Sequence, residues 1–391
     1  MTTNILKVGA GGNISNVRQG GNVNVIVSSA KGSVNVANKN IVNGAIFSSG
    51  NVHIGDNFTD KNTVRVLTVG DLHYQEDPTL PTLLNKKIDK ILAGGQYDCC
   101  ILLGDILHRF KNIDQPAQSL VTDLFDIITS HCPLFVLVGN HDYINATQFL
   151  TDKHSLLPFK RWPRIKIIDT PQIVKFSTCK IALVPYVPKG QFLEALETSA
   201  TKGKWENVDM IFAHQEFKGC KMGGVVSVDG DCWSDKFPPV ISGHCHTKHI
   251  VGENIIYIGM PYDLGYESEE RFVAEVIFKN DGKNKINYIP TGLPKKQLLR
   301  LSLDEAKKWA PEGTDYYKLK IICTKEEFRH FSKSAHAKDL RMAGVKLVHV
   351  SMDDKKAEEI LQKKQGCQTY REIFQKLVTD EGLGEIVAKI F

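Results

Sequence analysis

Three apolar runs in the first half of the chain end the same way, on a glycine followed by a residue able to bind a metal ion. Val64 to Val69 runs into Gly70-Asp71, Cys99 to Leu103 into Gly104-Asp105, and Leu134 to Val138 into Gly139-Asn140-His141-Asp142. Each run is short and apolar enough to be a buried strand. Between the first two, Leu84, Ile88, Ile91 and Leu92 share one helical face that Gly94-Gly95 would end; between the second and third, Leu120, Leu124, Ile127 and Ile128 do the same. Strands alternating with helices predict a parallel sheet with crossovers, so all three strands deliver their last residues to one edge. That edge is where such sheets bind ligands.

Further strands are predicted over 165–168, 173–176, 181–184, 208–213, 240–242 and 255–258. Two of them again lead to ligand-type residues, His214 and the pair His244 and His246. Strand-like stretches at 272–278 and 286–289 follow, and the main domain, residues 61–290, is expected to close near Pro290. Beyond it, 317–323 reads as a strand, Thr324 and Glu327 form a capping box that opens a helix, and 345–350 reads as a returning strand. These make residues 291–391 a small α+β domain. A last helical pair is expected from Thr369, with Ile373, Phe374, Leu377 and Val378 on one side as core or as a docking face.

The first 60 residues differ in kind. Eleven Asn and nine Gly are interleaved with Val, and alternating pieces recur at Gly21, Gly32 and Gly50. They are read either as a small stacked-strand element, solenoid-like and able to drive oligomerisation, or as a low-complexity tail. The 391 residues carry 42% hydrophobic and 24% charged side chains, which excludes a collagenous or wholly disordered chain and allows two or three domains. No apolar run is long enough to span a membrane, and the start lacks the basic and apolar regions of a secretory signal. An intracellular, cytoplasmic protein is expected, and nine scattered cysteines without a C-x-x-C pair suggest neither a disulfide framework nor a zinc ribbon. The net charge of +5 arises entirely from Leu293 onward, where 20 Lys or Arg face 15 Asp or Glu. That excess suits either a polyanion or a plain solvated surface.

Set side by side, the strand-end residues are Asp71, His73, Asp105, Asn140, His214, His244 and His246. Carboxylate mixed with imidazole suits manganese, iron, zinc or cobalt rather than magnesium or an iron-sulfur cluster. Seven ligands are too many for one ion. Two ions about 3.5 to 4 Å apart would use them all, an arrangement that polarises a phosphoryl group and activates a water. Any one of these residues alone would be an ordinary turn or core residue; five such motifs in order at predicted strand ends are not.

The series D-x-H, G-D, G-N-H-D, an isolated His and G-H-x-H resembles the calcineurin-like metallophosphoesterase superfamily over about residues 64–290. The resemblance implies a two-sheet β-sandwich flanked by helices, with one metal on Asp71, His73 and His246, a second on Asn140, His214 and His244, and Asp105 bridging them. It also makes His141 the general acid and gives Asp142 the task of orienting its imidazole. Gly104-Asp105-Ile-Leu-His108 together with G-N-H-D resembles the SbcD-type recombination nucleases and their phage counterparts, in which the extra histidine, here His108, helps place the scissile phosphate. The run from Ser242 to Lys248 and that from Tyr257 to Tyr262 are similar to the phage enzymes, and the small C-terminal domain matches a DNA-binding cap. The implied function is a DNA phosphodiesterase, exonuclease or single-strand endonuclease, using two divalent ions, manganese above all. It also implies a homodimer with an ABC-type ATPase partner of the SbcC kind. The N-terminal extension does not fit that pattern. The alternatives are a phosphodiesterase or phosphatase acting on nucleotides or other small molecules with the same centre, and a scaffold assembled by residues 1–60.

Overall fold

The computed structural model describes residues 62–198, 201–266 and 269–351, with the backbone of four short strands before them, Asn4–Val8, Val23–Val27, Ala45–Ile46 and Val52–Ile54. The chain divides into two units, Met1–Val42 and Asn43–Phe391. In the first, Asn4–Val8 and Val23–Val27 pair in parallel. The piece expected at Gly32 and the helical pair expected from Thr369 lie outside the described residues.

The second unit opens with β1 (Thr63–Val69), α1 (Thr79–Ala93), β2 (Cys99–Leu102), α2 (Gln115–His131), β3 (Leu134–Leu137) and β4 (Ile165–Ile168). These four strands are parallel neighbours in chain order. A hairpin of β5 (Gln172–Lys175) and β6 (Lys180–Val184) starts a second sheet, which continues through the short α3 (Phe192–Leu196) to β7 (Met210–His214), β8 (Val240–Gly243), β9 (His249–Val251) and β10 (Ile255–Tyr257). The chain then returns to the first sheet with β11 (Phe272–Lys279) and β12 (Lys285–Pro290). The six-stranded order is β12-β11-β1-β2-β3-β4. The eight-stranded order runs β9-β10-β8-β7-β6-β5 and ends with Val52–Ile54 and Ala45–Ile46.

The side-chain pattern explains why the two sheets stack. Along β1, Val64 and Val66 point into one buried cluster and Leu67 and Val69 into another; along β2, Cys99 and Ile101 alternate with Cys100 and Leu102. The first cluster is the layer between the sheets, where Phe135 and Leu137 meet Val174, Ile181, Leu183, Phe212 and Ile241. The second lies under the helices, where Leu84, Ile88 and Leu92 of α1 and Leu120, Leu124 and Ile128 of α2 cover the outer face. Strands buried on both faces need no polar side, which accounts for their continuous apolar runs. A third cluster, including Phe192, Trp205 and Phe217, covers the far side of the eight-stranded sheet.

Beyond β12 the chain builds a smaller layer of β13 (Lys296–Ser302), α4 (Leu303–Ala306), β14 (Tyr316–Ile322), α5 (Lys325–Phe331), α6 (Ala335–Met342) and β15 (Lys346–Val350), in which the three strands pair in parallel. Its own core contains Leu319, Ile321, Phe331, Ala337 and Leu340. The capping box at Thr324 is formed as expected, and a second stands at Ser302. β13 is not evident from sequence because Leu298, Leu299 and Leu301 are good helix formers without a clean period of two. It is held as a strand by pairing with β14. Among the described residues, no helix is long and apolar enough to cross a membrane.

Candidate metal centre

The glycines at the strand ends let neighbouring backbone and carboxylate groups approach more closely than a side chain would allow. A Cβ on Gly139 would lie 2.2 Å from both the amide nitrogen and Oδ1 of Asp105; one on Gly243 would lie 2.5 Å from Asp71 Oδ1. Only hydrogen fits there. Three of the polar residues that follow strand ends take the left-handed backbone normally left to glycine: His73 at φ 45°, Asp105 at φ 49° and His244 at φ 80°. Such strain, about 1–3 kcal/mol per residue, persists where the surroundings over-determine it and is concentrated at functional sites. Backbone bonds supply that support, since the His73 amide donates to Asp105 O at 2.8 Å and that of Tyr74 to Ile106 O at 3.0 Å.

The seven candidate ligands converge. His73 Nε2 and His246 Nε2 stand 3.1 Å apart, and Asp71, His73 and His246 bring ligand atoms to within 4.8 Å of one another. Alongside, Asn140 Oδ1 lies 3.0 Å from His214 Nε2 and 2.9 Å from His244 Nδ1. Asp105 sits between the two groups, with Oδ2 3.4 Å from His73 Nε2 and Oδ1 3.4 Å from His214 Nε2. One carboxylate therefore faces both clusters, one oxygen to each.

The chemistry of this set suits cations better than it suits itself. His214 Nδ1–H donates to Leu103 O at 2.7 Å, which leaves Nε2 for whatever lies among Asn140, Asp105 and His244. Asp71 is fully buried; its Oδ1 accepts the His244 amide at 3.0 Å, while Oδ2 has no partner. Burial pushes the Asp71 carboxyl up to about 7, with the charge of Asp105 adding to the rise. Burial would lower His214, but Asp105 and Asp71 outweigh it and raise that imidazole to about 9. Burial also opposes ionisation of Asp105, yet His214 and His73 hold it well below the usual carboxylate range. A proton on His214 thus offsets crowded anionic charge, the task a divalent ion performs at such a donor set.

At the rim of this centre, His141 keeps its backbone N–H on Asp105 Oδ1 at 2.8 Å. Its ring Nδ1–H donates to the carbonyl of His108 at 2.6 Å, leaving Nε2 for chemistry. The expectation that Asp142 orients this imidazole is corrected. The Asp142 carboxylate turns inward instead, accepting the backbone N–H groups of Gly139 at 2.9 Å, Ile106 at 3.1 Å and Leu107 at 3.3 Å. Those orphaned amides bind the buried carboxylate more effectively than one partly exposed ring. Asp142 ties the loop after β3 to the loop after β2, and the His108 carbonyl holds the ring. The rings of His73, His108 and His141 gather with nitrogen atoms within 4.8 Å of one another.

Sequence reasoning missed three supports. Glu216 is buried with Oε2 3.5 Å from His244 Nε2; its other oxygen accepts from Ser227 Oγ at 2.6 Å and pairs with Lys189 at 2.9 Å. Burial raises its carboxyl, but His244, Ser227 and Lys189 overcome that and bring it down to about 2. Arg271 donates to the His246 carbonyl at 2.7 Å and to Asp263 at 2.6 Å, and Asp263 in turn accepts the Lys296 amide at 3.1 Å at the start of β13. Tyr262 donates its hydroxyl to Leu72 O at 2.5 Å, between the ligands Asp71 and His73. Only the His214-Gln-Glu216 spacing offered a signal, and many loops share it.

The model of the calcineurin-like phosphoesterase family matches residues 64–280, the segment that carries all seven converging residues. The chain belongs to this family. Two relatives of this phosphoesterase are viral and themselves named as phosphoesterases. The 244L protein of Invertebrate iridescent virus 6 is 33% identical over 281 residues, 69% of this chain and 98% of its own length. The 078R protein of Invertebrate iridescent virus 3 is 34% identical over 292 residues, 73% of this chain and 83% of its own. Exonuclease subunit 1 of Enterobacteria phage T4 is 27% identical over 223 residues, which covers 53% of this chain and 63% of the phage protein. The phosphoesterase thus combines a hydrolase fold with His and Asp clusters that can bind metal.

Proposed function

We propose that this phosphoesterase is a DNA phosphodiesterase with two divalent ions, manganese foremost, cutting ends or single strands in recombination and repair. The observation that carries this reading is the second rim histidine. His108 stacks beside His141 at 5.8 Å between ring centroids, and its Nδ1 is buried without a hydrogen-bond partner. A polar atom of that kind is placed to meet a ligand. Likeness to a phage exonuclease subunit supports it independently.

Asp71, His73 and His246 would hold one ion, Asn140, His214 and His244 the other, with Asp105 shared. A bound pair supplies electrophilic polarisation of the phosphate and a water of lowered pKa. His141 Nε2 delivers a proton to the departing sugar oxygen, and the His108 carbonyl keeps the ring turned for that transfer. His108 steadies a phosphate oxygen. Lysines on the basic C-terminal region and exposed Arg109 contact further phosphates, so binding weakens with salt. A homodimer and an ABC-type ATPase partner complete the proposal.

With manganese, the purified protein is expected to degrade an end-labelled duplex or nick single-stranded circles, and a chelator is expected to abolish this. Hydrolysis of a chromogenic diester with both DNAs untouched would replace this reading by a small-molecule phosphodiesterase. Glu216→Gln is expected to weaken manganese binding about 10- to 100-fold through loss of the carboxylate behind His244. Titration calorimetry measures that, and an unchanged affinity would leave Glu216 a purely structural group.

A further inference from the structure

Phe110 follows His108 by two residues, in the loop between β2 and α2. Its ring stacks on the His141 imidazole, with centroids 4.3 Å apart and planes 28° from parallel. It is nevertheless 36% exposed, and Ile113 and Ile144, each three residues from one of this stacked pair, are 49% and 47% exposed. A phenylalanine that needed only to fill space would be buried, whereas this ring, stacked on a rim histidine and still open to solvent, offers its surface to an occupant. The loop is braced for one. Arg109 pairs with Asp114 within it at 3.4 Å and with Glu76 at 3.2 Å, just beyond the Asp71 to His73 segment. A preformed aromatic face loses little freedom on binding.

We propose that Phe110 is a stacking platform for the nucleobase flanking the scissile phosphate, a subsite that makes single-stranded or unpaired nucleic acid the substrate. This rests on the phosphodiesterase reading given above. A phosphate held at the centre next to His141 brings the neighbouring sugar and base to the side on which Phe110 lies. An unpaired base can lay its π face on the ring irrespective of its identity. A base locked inside a duplex has both faces occupied, so paired DNA must open to use the site.

Two single-stranded oligonucleotides test this, one with ordinary bases throughout and one lacking the central base, each cleaved with manganese at the phosphates around the centre. The wild type is expected to prefer the complete strand by about tenfold or more in kcat/KM. Phe110→Ala is expected to bring that ratio close to one, and Phe110→Trp to keep it. In chelator, a strand containing 2-aminopurine is expected to lose fluorescence on binding the wild type and Phe110→Trp but not Phe110→Ala. If Phe110→Ala slows both strands equally and preserves the ratio, the ring merely braces His141 and the platform is overturned. A wild type that hydrolyses a chromogenic diester but neither oligonucleotide overturns the nuclease reading instead, and the platform with it.

Discussion

Asp105→Asn is expected to give a folded protein that retains at most one ion and turns over at no more than about a thousandth of the normal rate. The substitution keeps shape and removes charge. Oδ1 and Oδ2 of Asp105 face different clusters at equal distances of 3.4 Å, so an amide must present its NH2 group to one of them. With its carbonyl kept at the Oδ1 position for the His141 N–H, the amide aims its NH2 group at His73 and repels a cation there, while the carbonyl serves the other cluster at reduced strength. Backbone geometry should survive, because the His141 amide needs only an acceptor at Oδ1. Metal content by mass spectrometry and melting with and without manganese separate the outcomes. Two tightly held ions in this variant would end the bridging assignment.

His141→Ala is expected to keep both ions and lose about 10²- to 10⁴-fold in kcat on DNA. The side chain lies beside His73 but belongs to neither assigned ligand set, and its bond to the shared carboxylate runs through the backbone N–H, which alanine retains. A general acid matters most when the leaving group is a poor one. A sugar alkoxide needs the proton and p-nitrophenolate scarcely does, so the deficit on a p-nitrophenyl diester should be much smaller. Rates on the two leaving groups under manganese tell the roles apart. Equal losses on both would make His141 a stabiliser of phosphoryl charge rather than a proton donor.

The ligand set is legible in the sequence because it obeys a local rule: short apolar strand, glycine, polar tip. Gly139 and Gly243 show why the glycine is there, since each sits where a methyl group would collide with Asp105 or Asp71. The sandwich can be anticipated only from family resemblance, because nothing in the period of two says which of two buried faces meets which sheet. Asp142 misleads because sequence adjacency to His141 suggests contact, whereas the tight turn after β3 sends the carboxylate back to three amides. Glu216 and Phe110 are invisible for a related reason. Each matters through a ring supplied by a distant part of the chain, and such pairings leave no periodic trace.

The donors also divide by layer. Asp71, His73, Asp105 and Asn140 follow strands of the six-stranded sheet, whereas His214, His244 and His246 belong to the eight-stranded one. Any ion gripped there acts as a rivet between the halves of the sandwich, and prying them apart means first surrendering it. Occupancy at a hundred times the dissociation constant would add about 2.7 kcal/mol to the work of unfolding. Starving the protein of metal should therefore loosen its architecture as well as silence its chemistry.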